Sequence, residues 1–248
     1  MPEDTREFFA SSAERYDELR PLRESWWRRF DVLVEEGDLR GRRVLDVGCG
    51  TGALTTALAE RVAARVWGVE PSEEMIAVAR RRASRTVGLK QGRAETLPFR
   101  DAWFERVVMT LVVHLVDRPT AFAEALRVLV PGGRLMIATF AHEHFETYWA
   151  RSFFPSLAAV DRARFPSERE LRDELAEAGF TPVRIVPLRD AETVDRATAL
   201  ERLRGRHIST FALLDPEEVR AGIEQAEREL PDEVEVLLDQ LVVVADKP

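Results

Sequence analysis

A single cysteine, Cys49, occurs among 248 residues, so an intrachain disulfide is excluded and a reducing compartment is expected. Lysine is nearly missing too. Lys90 and Lys247 are the only two among 36 cationic residues, and the arginine excess is read as a coding bias without functional meaning. No apolar stretch approaches a membrane span, and the opening Met-Pro-Glu-Asp-Thr-Arg-Glu has no apolar signal region, so a cytoplasmic protein is expected. Long basic runs are absent. The triplet Arg80-Arg81-Arg82 fans around a helix axis as a solvated face, and with a net charge of −8 nucleic acid is not an expected partner. Of four histidines, two stand in His142-Glu143-His144 before Glu146. At i, i+2 they diverge on a helix, and no H-E-x-x-H pattern is present, so no metal is expected.

What is present is a substantial core, with 45% hydrophobic residues, and a regular rhythm. Residues 4–37 read as two helices separated by Pro21, the second with an apolar stripe of Trp26, Trp27, Phe30, Leu33 and Val34. Short apolar strands then alternate with helices of about ten residues. Strands are expected at 44–47, 65–69, 87–91, 106–113 and 134–140, and helices at 53–62, 72–83 and 119–130. This pattern implies a parallel sheet covered on both faces. An aromatic-rich stretch at 141–166 breaks the rhythm. A capped helix at 167–178 and a strand at 183–188 follow. An arginine-rich helical stretch at 190–230, a short helix at 231–238 and a closing strand at 241–245 complete the reading.

The most informative segment is residues 44–52, Val-Leu-Asp-Val-Gly-Cys-Gly-Thr-Gly, with Glu70 eighteen positions after the last glycine. A buried strand ends in a glycine-rich turn, a helix starts at once, and a carboxylate stands where the next strand should end. Small residues let backbone approach a ligand, and a carboxylate accepts both hydroxyls of a ribose, so an adenosine-containing cofactor is expected. Gly48–Ala53 also satisfies the dinucleotide pattern G-x-G-x-x-G/A, which leaves a nicotinamide open beside a sulfonium cofactor. Cys49 reads as a small turn residue with no base beside it in sequence.

Four segments in order carry a family resemblance: 44–52; Gly68-Val69-Glu70-Pro71-Ser72 with Met75; Gly92-Arg93-Ala94-Glu95-Thr96-Leu97-Pro98-Phe99; and residues 126–135 around Pro131-Gly132-Gly133. Together they resemble class I S-adenosylmethionine-dependent methyltransferases, and most of all the type 11 group that includes the ubiquinone and menaquinone C-methyltransferases. Arg15-Tyr16-Asp17 and the Phe165-Pro166-Ser167 to Ala178-Gly179-Phe180 segment resemble that group too. The resemblance implies an α/β fold, a doubly wound seven-stranded sheet in order 3-2-1-4-5-7-6 with strand 7 antiparallel and a helical cap. It implies one domain over 1–248, with an N-terminal helical cap at 1–40, a cofactor core at 41–140 and substrate-cap segments at 141–166 and 190–232. It also implies methyl transfer from S-adenosylmethionine, giving S-adenosylhomocysteine, to a small-molecule acceptor. A nicotinamide-dependent reductase and a non-catalytic S-adenosylmethionine-binding protein are the alternatives.

Each site residue carries two readings. Asp46 lies near the methionine amino group of the cofactor by the resemblance, or bonds the amides of its own glycine loop. Gly48, Gly50 and Gly52 keep the turn free of Cβ atoms. Glu70 takes the ribose hydroxyls or serves the dipole of the following helix; Pro71 follows it in the same motif. Met75 packs on adenine or in the core. Ala94 and Glu95 face the adenine edge, although the family often has Asp at 95, which favours the backbone contact. Thr110, Leu111 and His114 follow the fourth strand at the ligand edge of the sheet. His114 and Tyr16 are the candidate proton acceptors for a hydroxyl or carbon nucleophile, Tyr16 also counting as a cofactor contact; for His114 a structural or pocket-wall role is the alternative. His207-Ile208-Ser209-Thr210-Phe211 faces the substrate or forms a polar loop. Trp26, Trp27, Tyr148, Trp149, Phe153 and Phe154 favour an apolar, cyclic or prenyl-like acceptor, or pack in the core. The Trp26–Val34 stripe buries against the core or another subunit, so the expected state is monomer or homodimer.

Overall fold

A computed structural model describes residues 3–248. Helices α1 (Glu3–Ser12), α2 (Tyr16–Leu19) and α3 (Glu24–Gly37) precede strand β1 (Arg43–Val47). The alternation then runs α4 (Ala53–Arg61), β2 (Arg65–Glu70), α5 (Glu73–Arg82), β3 (Gly88–Gln91), β4 (Phe104–Thr110), α6 (Arg118–Val128) and β5 (Leu129–Phe140). After α7 (His144–Thr147), α8 (Leu157–Arg164) and α9 (Glu168–Glu177) come β6 (Val183–Asp195), α10 (Arg196–Arg204), α11 (Pro216–Glu229) and β7 (Glu233–Asp246).

The seven strands form one sheet in the order β3-β2-β1-β4-β5-β7-β6, and β7 runs antiparallel to both its neighbours. Alternate residues of each strand bury on opposite faces. Leu45, Val47, Val107, Met109 and Ile137 pack beneath α6 and α9, whereas Val44, Val108, Met136 and Val242 pack beneath α3 and α4. The stripe on α3 is therefore spent on the sheet: Phe30, Leu33 and Val34 are buried there.

Two strands outrun the sheet. Beyond the Phe140–Gln240 pair, where β5 ends, β6 and β7 stay paired from Arg189–Asp239 to Asp195–Glu233. At about 3.3 Å per residue these seven pairs lift the tip by about 23 Å. The tip carries α10 and α11, which share a separate apolar cluster with Phe153, Phe154 and Leu157. The structure thus places a second small core over the carboxyl edge.

This departs from the sequence reading in five places, the first being that β5 begins at Leu129, so Pro131-Gly132-Gly133 lies within the strand instead of before it. Residues 233–238 are strand, not the helix expected over 231–238, because Glu233-Val234-Glu235-Val236 alternates exposed and buried positions. Residues 190–195 extend β6 instead of opening a helix. Strand β4 stops at Thr110, since Leu111 turns left-handed with φ +55 and donates its N–H to the Ala138 carbonyl at 2.8 Å. The first N-terminal helix is split into α1 and α2.

Candidate active site

The turn after β1 is built from positions that only glycine fills easily. A Cβ on Gly48, at φ +72, would lie 2.4 Å from Val112 Cγ2, so the loop after β4 requires its absence. At Gly50 nothing lies within 4 Å of the Cβ direction, and the turn opens there into a cavity. Gly52 does not line that cavity. Its Cβ would meet Ala79 Cβ at 3.1 Å, so it serves the close passage of α4 past α5.

Glu70 ties three elements together. Its Oε2 accepts the Gly50 N–H and its Oε1 the Ser72 N–H, each at 3.0 Å. Burial pushes its acid strength down despite these two amides, and the carboxylate stands at the mouth of the glycine turn. Ser72 in turn caps α5 by accepting from the Met75 N–H at 3.2 Å, which holds Met75 beneath Glu70.

Two charged groups facing the cavity, buried Asp46 and half-buried Arg29, make no ion pair among the described residues. Asp46 is 2% exposed and accepts one hydrogen bond, 2.6 Å from Thr55 Oγ1. Burial, with the Glu70 charge adding to it, raises its carboxyl to about 7. Arg29 is the reverse case. Burial lowers its guanidinium to about 10, and it reaches Gln240 Oε1 at 3.3 Å. Among the described residues no cation pairs with Asp46 and no carboxylate with Arg29. Both line the same cavity, and Arg29 borders a small extension of it beside Leu54, the neighbour of Thr55.

That cavity, of 390 Å³, runs from the glycine turn to the cap. Of the residues predicted from sequence it brings together Tyr16, Asp46, Gly48, Gly50, Glu70, Pro71, Met75, Ala94, Glu95, Thr110, Leu111 and His114. Glu95 spends its carboxylate elsewhere, accepting the Asp117 N–H at 3.2 Å and pairing with Arg93 at 3.3 Å. Thr110 Oγ1 is buried without a partner. The His114 ring stacks on Phe165 at 3.9 Å, and its Nδ1 has no hydrogen-bond partner. Burial, then the charges of Arg164 and Arg20, hold that imidazole neutral, well below its ordinary value. Arg20 covers the Tyr16 ring at 4.2 Å and donates to its hydroxyl.

Several contacts of the site were not read from sequence, although Tyr148 and His207 were named there as candidate acceptor-side residues. Asp17 accepts from Thr51 Oγ1 at 2.8 Å and pairs with Arg82, which also donates to the Thr51 carbonyl at 3.2 Å. This clasp fastens the N-terminal segment over the glycine turn. Tyr148 and His207 form a dyad with 2.9 Å between Oη and Nε2, and His207 Nδ1 faces the Arg202 carbonyl at 3.0 Å. The histidine thus donates from Nδ1 and accepts from tyrosine, and burial with two nearby arginines takes it to about 3. Only long-range pairing makes these contacts, so neighbouring sequence held no signal for them.

The aromatics divide. Trp26, Tyr148 and Trp149 line the cavity, whereas Phe153 and Phe154 fill the cap's own core and Trp27 lies under Arg61 at 3.9 Å. The His142 and His144 side chains are used in packing. His142 Nε2 meets the Phe165 carbonyl at 2.8 Å, and His144 stacks on Phe140 at 4.1 Å. Among the described residues no group of three His, Cys, Asp or Glu side chains is arranged to hold a metal, and no helix is long and apolar enough to cross a membrane.

Residues 45–137 match a family described as methyltransferase domain. An O-methyltransferase of Penicillium expansum is 33% identical over 172 residues, 64% of this chain and 59% of that protein, so the chain spans under two thirds of its length. A demethylmenaquinone methyltransferase of Tropheryma whipplei is 36% identical over 171 residues, 63% of this chain and 70% of that protein. The solved geranyl diphosphate C-methyltransferase of Streptomyces coelicolor, in complex with S-adenosyl-L-homocysteine, superposes with a TM-score of 0.59 at 20% identity, covering 90% of this chain and 79% of that one. With the glycine turn, Glu70 and the 3-2-1-4-5-7-6 sheet already in hand, the chain belongs to the class I S-adenosylmethionine-dependent methyltransferases, in the type 11 group.

Proposed function

We propose that this chain moves a methyl group from S-adenosylmethionine to a small, largely apolar acceptor held beneath the aromatic cap. The orphaned pair Asp46 and Arg29 carries this reading. An acid and a guanidinium without an ion-pair partner lining one cavity are costly alone, although Glu192 acts on Arg29 from a distance, and a zwitterionic amino-acid tail would satisfy both together. Its ammonium goes to Asp46 and its carboxylate to Arg29. Glu70 retains lone pairs for two ribose hydroxyls after accepting from Gly50 and Ser72. Met75 and Ala94 give adenine an apolar wall, and the Glu95 backbone faces its polar edge. The residues present therefore fit the cofactor.

When bound, S-adenosylmethionine supplies an electrophilic methyl group on a sulfonium. The chain supplies alignment and dryness. The clasp of Asp17 on Thr51 and Arg82 closes the N-terminal segment over the turn, and Trp26, Tyr148 and Phe165 exclude water from the acceptor side. An oxygen or carbon acceptor must lose a proton. The neutral His114 imidazole, which lines the cavity, is the group to take it, with Tyr16 the other candidate. The single buried cysteine suits a reducing, cytoplasmic setting.

The test has two halves. His114→Asn should lower turnover about a hundredfold, the usual scale for losing a general base, while S-adenosylhomocysteine binds as before. Turnover within twofold of wild type would leave alignment alone as the source of rate. Arg29→Gln should weaken S-adenosylhomocysteine binding by about tenfold or more, the scale of one lost charge-assisted contact; unaltered binding contradicts the placement of the amino-acid tail.

A further inference from the structure

The cap end of the cavity holds charge that methyl transfer does not use. Arg20, Arg23 and Arg202 line it. Arg20 donates only to neutral oxygens, the Tyr16 hydroxyl and the His207 carbonyl. Arg23 lies 3.9 Å from Glu192, a carboxylate that also accepts from Ser25. Among the described residues the Arg202 guanidinium has no hydrogen-bond acceptor, and its Nε is buried. Asp161, the other acid at this end, is already taken by Arg164 at 3.3 Å and Thr210 at 2.7 Å. Three guanidiniums thus face one engaged carboxylate. They lie near enough to act on one another: burial lowers Arg202 and the Arg23 charge lowers it further, Glu192 and Tyr148 offset part of this, and Arg20 adds to the lowering. Around them stand Tyr148 and Trp149, so water is a poor substitute for a counterion.

We propose that the methyl acceptor is an apolar acid whose oxyanion, a carboxylate or a phosphate monoester, is held by Arg202 and Arg23 with Arg20 beside them, its body lying against Tyr148 and Trp149. Resting on the methyl-transfer reading, this deepens it: the cap selects for negative charge and repels a protonated amine. Planar guanidinium forks suit either oxyanion, and among the described residues the terminal nitrogens of Arg202 have no hydrogen-bond acceptor.

Thermal unfolding of the protein saturated with S-adenosylhomocysteine tests this, because the amino-acid tail then occupies Arg29. Benzoate, phenyl phosphate and neutral benzamide are added at equal ionic strength set with chloride. Benzoate or phenyl phosphate should raise the midpoint, corresponding to an affinity at least tenfold above that of benzamide. Arg202→Gln should abolish the difference. Glu192→Gln, which removes the carboxylate that pairs with Arg23, should enlarge it, and Arg23→Gln repeats the first test if Arg202→Gln does not fold. A response to benzoate alone identifies a carboxylate subsite, and a response to phenyl phosphate alone a phosphate subsite. Equal responses to acid and amide, or an acid response that Arg202→Gln and Arg23→Gln retain, would overturn the proposal. Failure of S-adenosylhomocysteine itself to bind is a separate result that removes the methyltransferase reading instead.

Discussion

At the scale of single residues, the site trades stability for ligand affinity. Asp46 has a folded-state value near 7, well above the unfolded one, so the native chain keeps a proton that the unfolded chain releases from about pH 4 upward. Stability contributed by this group is therefore lost as pH rises from about 4 to 7 and stays lost above. Asp46→Asn, which can still accept from Thr55, should raise the unfolding midpoint of the ligand-free protein at pH 8. The ceiling is about 4 kcal/mol, three units at about 1.36 kcal/mol each. The same variant should bind S-adenosylhomocysteine at least tenfold more weakly. In wild type that affinity should fall as pH drops below 7 and Asp46 gains its proton. A variant that is destabilised, or an affinity flat between pH 6 and 8, would remove the ammonium partner from Asp46. The glycines and Glu70 were legible in the sequence because a tight turn and a strand end specify their chemistry locally. Arg29 was not. It stands among four arginines between 20 and 29, and only the fold separates it from Arg28, whose side chain is 48% exposed and pairs with Asp190.

At the scale of elements, the cap is held by close backbone contacts and by one clasp. Gly222 on α11 would place a Cβ 2.4 Å from the Phe153 carbonyl and the Phe154 ring. Gly222→Ala should therefore lower the unfolding free energy by about 1–3 kcal/mol, the usual cost of overpacking, and with it the denaturant midpoint, despite alanine's better helix propensity. A neutral or stabilising result would mean that α11 sits further from residues 153–154. Asp17→Asn removes the charge joining α2 to Thr51 and Arg82. It should weaken cofactor binding severalfold while leaving the midpoint within about 1 kcal/mol, as for a half-exposed ion pair. The parallel core was readable because strands buried on both faces appear as short apolar runs between capped helices. The end of the chain was misread where Pro231 and the acids after it resemble a helix start. The alternation at 233–236 was the better signal, and it belongs to strands that leave the sheet to carry a cap.

At the scale of the whole molecule, one end of a twisted sheet holds the ligand edge and a second core closes over it, so stability and function share titrating groups. Three of the four histidines are held neutral by burial: His114 well below its ordinary value, His144 near 4 and His207 near 3. A histidine lowered in the folded state adds stability above its unfolded value near 6.5 that is lost as pH falls through it. Asp46 near 7, Asp161 near 6 and the raised Glu70 act in the opposite sense and make the fall shallower than three histidines alone would. The unfolding midpoint should accordingly be highest near neutrality and fall between pH 6.5 and 5; a midpoint that rises on acidification would show that these rings are solvated. The acceptor was least legible in sequence, since its chamber is assembled from residues 16–29, 140–165, 192–210 and 236–240 and no local pattern brings them together. The methyl-donor site admits the most direct test: calorimetric titration of the wild type and of Glu70→Ala with S-adenosylhomocysteine, and of the wild type with NADH. One-to-one binding of the sulfur nucleoside, weakened at least tenfold in a Glu70→Ala protein that remains folded, with no binding of NADH, is the expected result. Binding of NADH alone, or an affinity for S-adenosylhomocysteine indifferent to Glu70, would contradict it.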